Sequence, residues 1–171
     1  MPALPPLPDP PVIDARQLRQ AFGCFPTGVA VVSTLGADGV FVGLTVSSFT
    51  SLSLDPPLIL WALSSRSSSL RAFETSERFA VNILAEDQVE ISQRFASSSR
   101  DKFHGVATHP GLGGTPLIEG CAAYIECRFE SAQPGGDHVI FVGRVERVQV
   151  RARAPLVYVG ARYRTVGPEP G

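Results

Sequence analysis

The chain of 171 residues lacks the signals of several large protein classes. No apolar run approaches the roughly 20 residues that a membrane-spanning helix needs, and no charged start followed by an apolar stretch marks a secretory signal. The 15 basic and 16 acidic residues balance, so the basic stripe of a nucleic-acid-binding protein is also missing. We therefore expect a cytoplasmic protein that binds neither membranes nor nucleic acids.

Cysteine and histidine are equally scarce. Cys24, Cys121 and Cys127 are too few for a disulfide framework. The last two are predicted to share a strand, about 20 Å apart, which is beyond bonding distance. The three histidines have no carboxylate at metal-ligand spacing. We expect reduced thiols and no metal site.

The common signatures of nucleotide binding and nucleophilic catalysis are absent too. The chain has no Walker loop, no Gly-x-Ser-x-Gly elbow and no His-Glu-x-x-His pair. Its glycine cluster at 111–114 does not follow a first strand, as a dinucleotide-binding fingerprint would. These absences favour a nucleotide cofactor that is held without a Rossmann fold.

The composition predicts one globular domain. Hydrophobic residues make up 44% of the chain and charged residues 18%, and a domain of this size buries roughly 70% of its unfolded surface. Residues 1–12 are predicted to form an extended, Pro-rich arm, because six prolines lie between Met1 and Pro11. We place the domain at 13–167 and a short C-terminal tail at 168–171.

Short strands separated by turns dominate the predicted secondary structure. Asp14 is predicted to cap a helix that ends at Gly23, and Asp87 with Glu90 resembles a capping box for a second helix that reaches about Phe95. A third helix is predicted over 67–75, and a loop over 97–116. Strands are predicted over 29–35, 40–45, 58–63, 78–84, 121–129, 138–150 and 156–160.

The strand over 121–129 has apolar residues at odd positions, while the even ones turn polar. This period of two predicts that Cys121 and Cys127 face the core. Six or more antiparallel strands with two or three short helices indicate a mainly β fold, arranged as a closed or nearly closed barrel.

The segment 45–53 is unusually rich in hydroxyl groups, with six Ser or Thr residues among nine. Hydroxyls and free backbone N–H groups donate neutral hydrogen bonds, so such a segment suits a pocket that grips a phosphate without a large positive charge. An ordinary polar loop between two strands is the alternative at this stage.

Several separate motifs occur along the chain, in the order Phe25-Pro26-Thr27-Gly28-Val29, Gly43-Leu44-Thr45-Val46-Ser47-Ser48-Phe49, Ser53-Leu54-Asp55-Pro56-Pro57-Leu58 and Gly136-Asp137-His138-Val139-Ile140, followed by Gly143-Arg144-Val145. Taken in this order, they resemble the short-chain flavin reductases. The resemblance covers roughly Arg16 to Val166. It implies an FMN-binding split β-barrel of Greek-key type, assembled as a homodimer.

The same resemblance implies the reductase component of a two-component flavin-dependent monooxygenase. Such a protein oxidises NADH or NADPH, reduces FMN, FAD or riboflavin, and releases the reduced flavin to a partner oxygenase. Hydride transfer is chemistry that the two cofactors supply themselves, so the missing nucleophile motifs are consistent with it. A Ser-rich, Arg-poor site also suits a flavin that binds weakly enough to leave.

The resemblance assigns roles to individual residues. His138 is expected to position the nicotinamide for hydride transfer, and Tyr163 to lie near it. Hydroxyls of 64–69, at the start of a predicted helix, suit a phosphate. The expected flavin contacts are Thr27, Gly28, Thr45, Val46, Ser47, Ser48, Ala62, Leu63, Ser64, Arg66, Ser67, Ser69 and Phe103. Cys24 departs from the basic or polar residue that is commoner before Phe25.

Other interpretations stay open. The split barrel could hold FMN tightly as a prosthetic group for another redox reaction, or it could be a flavin- or haem-binding protein without turnover. For single residues, Ser64 to Ser69 could be a helix cap, His138 an ordinary surface residue and Tyr163 a core aromatic.

Overall fold

The computed structural model describes residues 13–99 and 101–167, so the predicted arm and tail lie outside the described chain. The helices are α1 (Ala15–Gly23), α2 (Leu70–Thr75) and α3 (Val89–Ala96), with a 3₁₀ turn at Leu112–Gly114. The strands are β1 (Thr27–Gly28), β2 (Ala30–Leu35), β3 (Phe41–Val46), β4 (Thr50–Leu54), β5 (Pro57–Ser64), β6 (Arg78–Ile83), β7 (Thr108–Pro110), β8 (Pro116–Ile118), β9 (Ala123–Gly135), β10 (His138–Val150), β11 (Val157–Val159) and β12 (Arg162–Arg164).

Seven antiparallel strands form the main sheet in the order β3-β2-β6-β9-β10-β5-β4. The set β1-β11-β12 and the hairpin β7-β8 form two smaller sheets. The prediction of a mainly β fold with short helices is confirmed. A closed barrel is not formed within the described chain, because no ladder joins the end strands β3 and β4. The sheet curls nevertheless, since Val46 of β3 and Trp61 of β5 belong to one core cluster.

Two core clusters cover opposite faces of the sheet. Successive residues of β2 point to opposite faces, and they alternate between the clusters: Ala30 and Val32 belong to one, Val31 to the other. The aromatic rings of Trp61 and Phe141 stack in the first cluster, with centroids 4.6 Å apart. The middle strands of the sheet are therefore buried on both sides.

Burial on both sides corrects the simple period of two predicted for β9. Cys121 and Cys127 are buried as expected, and burial raises the pKa of each thiol to about 12. Tyr124 and Glu126 are buried as well, although they occupy even positions. Glu126 is tolerated there because its carboxylate accepts hydrogen bonds from Arg147, at 2.5 and 2.8 Å. All three cysteines of the chain are free thiols.

Helix α1 forms as predicted. The Asp14 side chain accepts a hydrogen bond from the Arg16 amide at 3.1 Å, and the helix ends at Gly23. Within residues 13–99 and 101–167, Leu18 and Phe22 of this helix stay uncovered, and Phe22 is 67% exposed. Among the described residues, no helix is long and apolar enough to span a membrane.

The capping box predicted for α3 is wrong. The residue at the N-cap is Gln88, one position after Asp87, and its side chain makes no bond to the helix amides. The side-chain carbonyl oxygen of Gln88 instead accepts a hydrogen bond from the Ala85 amide. Asp87 forms an ion pair with Arg153. The Gln88 amide donates to the Ala85 carbonyl oxygen at 2.9 Å, so a hydrogen-bonded turn leads into the helix. The predicted loop over 97–116 contains β7 and the 3₁₀ turn.

Candidate functional site

A small cavity of about 160 Å³ collects several of the predicted site residues. Its walls come from β3, α3, the chain between β1 and β2, and the β11–β12 hairpin. The residues that line it are Val29, Thr45, Val46, Ser47, Ser92, Ala96, Tyr158 and Tyr163. Thr45, Val46, Ser47 and Tyr163, four of the expected positions, therefore meet in one place.

Hydrogen bonds through Ser92 hold this cavity together. The Thr45 hydroxyl donates to the Ser92 carbonyl oxygen at 2.7 Å, and the Ser92 hydroxyl lies 2.9 Å from that of Tyr163. The rings of Tyr158 and Tyr163 meet edge to face, 5.3 Å apart. The sequence analysis missed Ser92, because a serine inside an amphipathic helix gives no signal of its hydrogen-bond partners.

Strand β1 brings Thr27 to the same hairpin. Thr27 is paired with Tyr158, and Gly28 with Val157. The buried Thr27 hydroxyl has no hydrogen-bond partner among the described residues, which leaves it able to bond to a ligand. Gly28 is exposed, and a Cβ atom there would meet nothing within 4 Å.

A second cavity, of about 550 Å³, lies against the first half of β3 and the segment that follows α3. It is lined by Val40, Phe41, Val42, Gly43, Ser68, Ser69, Ala72, Ser97, Ser98, Ser99, Lys102 and Phe103. Ser69 and Phe103 are predicted site residues. Gly43 has to be a glycine here, because a Cβ atom would lie 2.8 Å from the Phe95 ring and 3.0 Å from the Phe103 ring.

Lys102 provides the positive charge of the larger cavity. Its ammonium donates to the carbonyl oxygens of Phe95 at 2.8 Å and of Gly43 at 3.4 Å. Burial lowers the pKa of Lys102 below its ordinary value. No carboxylate pairs with it among the described residues. A half-buried ammonium without a carboxylate partner, in a cavity lined by five seryl residues, has the character of a phosphate site.

The sequence analysis named Phe103 but not its neighbour Lys102. A single lysine in a predicted loop is usually solvated, and nothing in its position along the chain indicated burial. The spacing of the serines at 97–99 was the only available signal, and it was assigned to a loop.

The segment Ala62 to Ser69 is held differently from the prediction. Helix α2 begins only at Leu70, so Ser64 ends β5, and Ser65 and Ser67 lie between that strand and the helix rather than in its first turn. The Ser64 hydroxyl accepts from the Arg66 amide at 3.4 Å, and the Ser67 hydroxyl from the Ser69 amide at 3.2 Å. Each of these two hydroxyl oxygens accepts one backbone hydrogen bond, which leaves its O–H donor free.

Two other predicted contacts, Ala62 and Leu63, belong to the end of β5. The Ser48 hydroxyl accepts from the Ala62 amide at 3.0 Å and donates to the Ala62 carbonyl oxygen at 2.9 Å. Leu63 is buried in the core. Ser48 thus links the segment after β3 to β5. The two hydrogen bonds use the donor and one acceptor lone pair of its hydroxyl group.

His138 lies in a separate group at the start of β10. It is paired with Ser64 of β5, and its Nδ1 lies 2.7 Å from Oδ1 of Asp137. Its hydrogen bond to Asp137, followed by its charge, lowers the pKa of that carboxyl group. The Ser65 amide and hydroxyl both donate to the Asp137 carbonyl oxygen, at 2.9 and 3.0 Å.

The structure does not bring His138 and Tyr163 into one cavity. His138 lines neither the small nor the large cavity, and its side chain is 45% exposed. Among the described residues, no group of three or more His, Cys, Asp or Glu side chains could hold a metal ion.

Comparison with known families gives one match that covers most of the chain. Residues 22–167 match the family described as the flavin reductase like domain. These residues include both cavities and His138.

Individual relatives are similar over nearly the whole chain. The flavin-dependent monooxygenase reductase subunit HsaB of Mycobacterium tuberculosis is 42% identical over 161 residues, which are 92% of this chain and 85% of that protein. A flavin reductase of Pseudomonas putida is 40% identical over 150 residues, 86% of this chain and 88% of that protein. An NADH:FAD oxidoreductase of Streptomyces globisporus, solved with NAD and FAD fragments, superposes with a TM-score of 0.86 at 38% identity, covering 91% of this chain and 94% of that one.

Proposed function

The chain belongs to the flavin reductase-like domain family and is an NAD(P)H-dependent flavin reductase, and from this premise we propose how its residues bind the flavin and which protein receives it. The substrates are NADH or NADPH and FMN or FAD. The acceptor of the reduced flavin is a partner monooxygenase, the kind of protein that the HsaB relative serves as reductase subunit. The observation that carries the proposal is the ammonium of Lys102, without a carboxylate partner, in a serine-lined cavity on β3, the strand that also contributes Thr45 to the small cavity.

We assign the phosphate end of the flavin to the larger cavity. Lys102 supplies a charge there, while Ser68, Ser69, Ser98 and Ser99 supply hydroxyl donors. The Ser97 hydroxyl donates to the Arg94 carbonyl oxygen at 2.7 Å. This assignment moves the main phosphate contact from the predicted segment around Ser64 and Arg66 to the loop after α3. Arg66 remains a weaker candidate, because Asp137 lies close enough for the two charges to interact.

We assign the ring end to the small cavity and to the segment between β3 and β4. The amides of Ser47, Ser48 and Phe49 lie outside the strands and make no hydrogen bond within the described chain. Such free donors suit the carbonyl and N5 edge of a flavin ring. Thr27, with its unpartnered hydroxyl, stands beside the same hairpin.

The bound flavin supplies the redox chemistry, since its N5 accepts the hydride of the reduced nicotinamide. The protein residues bind the flavin and the nicotinamide, orient the two rings and exclude water. His138 is proposed to hold the nicotinamide: its bond to Asp137 engages Nδ1 and leaves Nε2 available for a ligand. Because the phosphate site uses one ammonium and neutral hydroxyls, binding is weak enough for the flavin to leave for the oxygenase.

We also propose that the chain, with its domain at 13–167, works as a split-barrel homodimer. Large apolar side chains are exposed at three places: Phe25 is 74% exposed, Leu54 95% and Val150 80%. Burying this surface against a second copy would remove it from water. Sedimentation at micromolar concentration should give twice the mass of the chain, and a monomer at all concentrations would contradict the proposal.

The flavin reductase activity is tested by anaerobic mixing with NADH and FMN. The flavin absorbance should bleach at a rate proportional to the protein concentration. Purified protein should be colourless after dialysis, and added FMN should raise its rate of NADH oxidation. A yellow protein that ignores added flavin would support the tightly bound prosthetic group, and binding without bleaching would support a protein without turnover. Adding a flavin-dependent monooxygenase together with its substrate and oxygen should then yield hydroxylated product.

A further inference from the structure

Ser92 connects two elements of the ring cavity from a fully buried position. It lies in α3 with no exposed surface. Its carbonyl oxygen accepts from Thr45 of β3, and its hydroxyl contacts Tyr163 of β12. The side chain and the backbone of Ser92 therefore serve different neighbours, so replacing the side chain by alanine removes only the contact with Tyr163.

The surroundings decide which hydroxyl donates. Among the described residues, the Tyr163 oxygen is the only hydrogen-bond partner of the Ser92 hydroxyl. If Tyr163 donated, the hydrogen of the buried Ser92 hydroxyl would have no acceptor, and an unpaired buried donor is costly. Ser92 therefore donates to Tyr163. The hydroxyl hydrogen of Tyr163 is then free, and this half-buried residue lines the small cavity.

We propose that Ser92 is a positioning residue that turns the Tyr163 hydroxyl so that it donates to a carbonyl oxygen of the flavin ring. The inference rests on the proposed function, which assigns the ring end to this cavity. A cavity of about 160 Å³ admits one edge of the ring, and the carbonyl groups are the acceptors that this edge presents to an O–H donor. Ser92 itself does not touch the flavin.

The test measures the carbonyl stretching band of bound FMN by vibrational difference spectroscopy, together with the dissociation constant for FMN. Tyr163→Phe removes the donor, so the band should move to higher frequency and the dissociation constant should rise by about 2- to 12-fold, as for one lost hydrogen bond. Ser92→Ala should move the band in the same direction. The double variant should lose no more FMN affinity than Tyr163→Phe alone, because the two side chains act through one hydrogen bond to the flavin.

Ser33 offers a matched control. It is a fully buried serine of β2 whose hydroxyl donates to the Pro116 carbonyl oxygen at 2.6 Å, and it lines neither cavity. Ser33→Ala should lower the melting temperature and leave the carbonyl band and the dissociation constant as in the wild type. A merely structural role for Ser92 would give the same pattern in Ser92→Ala.

Two failures are distinguishable. Wild-type protein that binds no FMN would overturn the proposed function and this inference with it. The role of Ser92 alone would be overturned if the wild type binds FMN but Ser92→Ala leaves the carbonyl band of FMN unmoved. It would also be overturned if the losses of FMN affinity in the two single variants add in the double variant.

Discussion

The Lys102 ammonium donates a hydrogen bond to the carbonyl oxygen of Phe95, 2.8 Å away in the last turn of α3. A cation is stabilised at this end of a helix, where the carbonyl groups carry partial negative charge. The backbone of α3 thus holds the charge of Lys102 at the wall of the larger cavity without neutralising it by a carboxylate. The charge remains available to an anion.

Replacing Lys102 by methionine tests this assignment. Lys102→Met keeps a long apolar side chain and removes the charge, so the dissociation constant for FMN should rise by the equivalent of about 1.5–3 kcal/mol, the range of a hydrogen bond to a charged group. Riboflavin, which has no phosphate, should bind the variant and the wild type equally. Titration followed by flavin fluorescence measures both.

The matched control is Arg66→Met, which removes the basic residue that sequence reasoning assigned to the phosphate. It should change FMN affinity less than Lys102→Met. A larger loss of FMN affinity in Arg66→Met than in Lys102→Met would instead place the phosphate at the turn before α2.

The lowered pKa of Lys102 predicts a pH dependence. The ammonium keeps its charge below its folded-state pKa, which lies below the ordinary value of 10.5 because burial disfavours the charged form. FMN affinity should be constant at neutral pH and fall as the pH rises through that pKa, before pH 10.5 is reached. Titrations with riboflavin correct for ionisation of the ring, which both ligands share. If the affinities for FMN and riboflavin depend on pH in the same way, Lys102 does not bind the phosphate.

Much of the fold could be read from local patterns. The helix capped by Asp14 and the long strand from His138 depend on residues close in sequence, and both form as predicted. The burial of Tyr124 and Glu126 could not be predicted, because it depends on β9 lying between β6 and β10 with a core cluster on each face. Of the two alternatives, a closed or a nearly closed barrel, the closed one is not formed within the described chain, and strand number alone does not say whether the end strands pair.

The sequence could bring candidate site residues together where they belong to a motif. Thr45 and Tyr163 do meet in one cavity, although they are far apart in sequence. Ser92 and Lys102 were missed because their roles arise from burial and from hydrogen bonds to distant segments. The family resemblance carried no statement about these two positions, and periodicity alone treats them as a helix serine and a loop lysine.

The two neighbouring serines after β3 should behave differently. Ser48 makes two bonds to Ala62, so Ser48→Ala should lower the free energy of unfolding by about 0.5–1.5 kcal/mol for each bond. Ser47 is exposed at the small cavity, so Ser47→Ala should leave stability unchanged and weaken flavin binding. Urea unfolding and flavin titration of both variants separate these effects. Equal behaviour of the two variants in both measurements would contradict the assignment.

His138 should affect the nicotinamide more than the flavin. His138→Ala removes the side chain bonded to Asp137 at the start of β10, outside both cavities. The KM for NADH should rise several-fold, by the range of one or two hydrogen bonds, while the dissociation constant for FMN stays near the wild-type value. Steady-state kinetics with saturating FMN, and separate flavin titration, measure the two quantities. Comparable increases in the KM for NADH and in the dissociation constant for FMN would exclude the proposed role. His104→Ala, at an exposed histidine in a loop, provides the control.

The close approach of β10 to the core predicts a stability effect at Gly143. A Cβ atom there would overlap the Phe79 ring and lie 2.9 Å from Cβ of Cys127, both buried in the same cluster. Gly143→Ala should therefore lower the free energy of unfolding by about 1–3 kcal/mol, as overpacking of a core does. Gly28→Ala is the control, because a Cβ atom on that strand meets nothing within 4 Å. Urea unfolding of both variants checks the difference; equal stabilities would mean that the Phe79 ring can move aside at no cost.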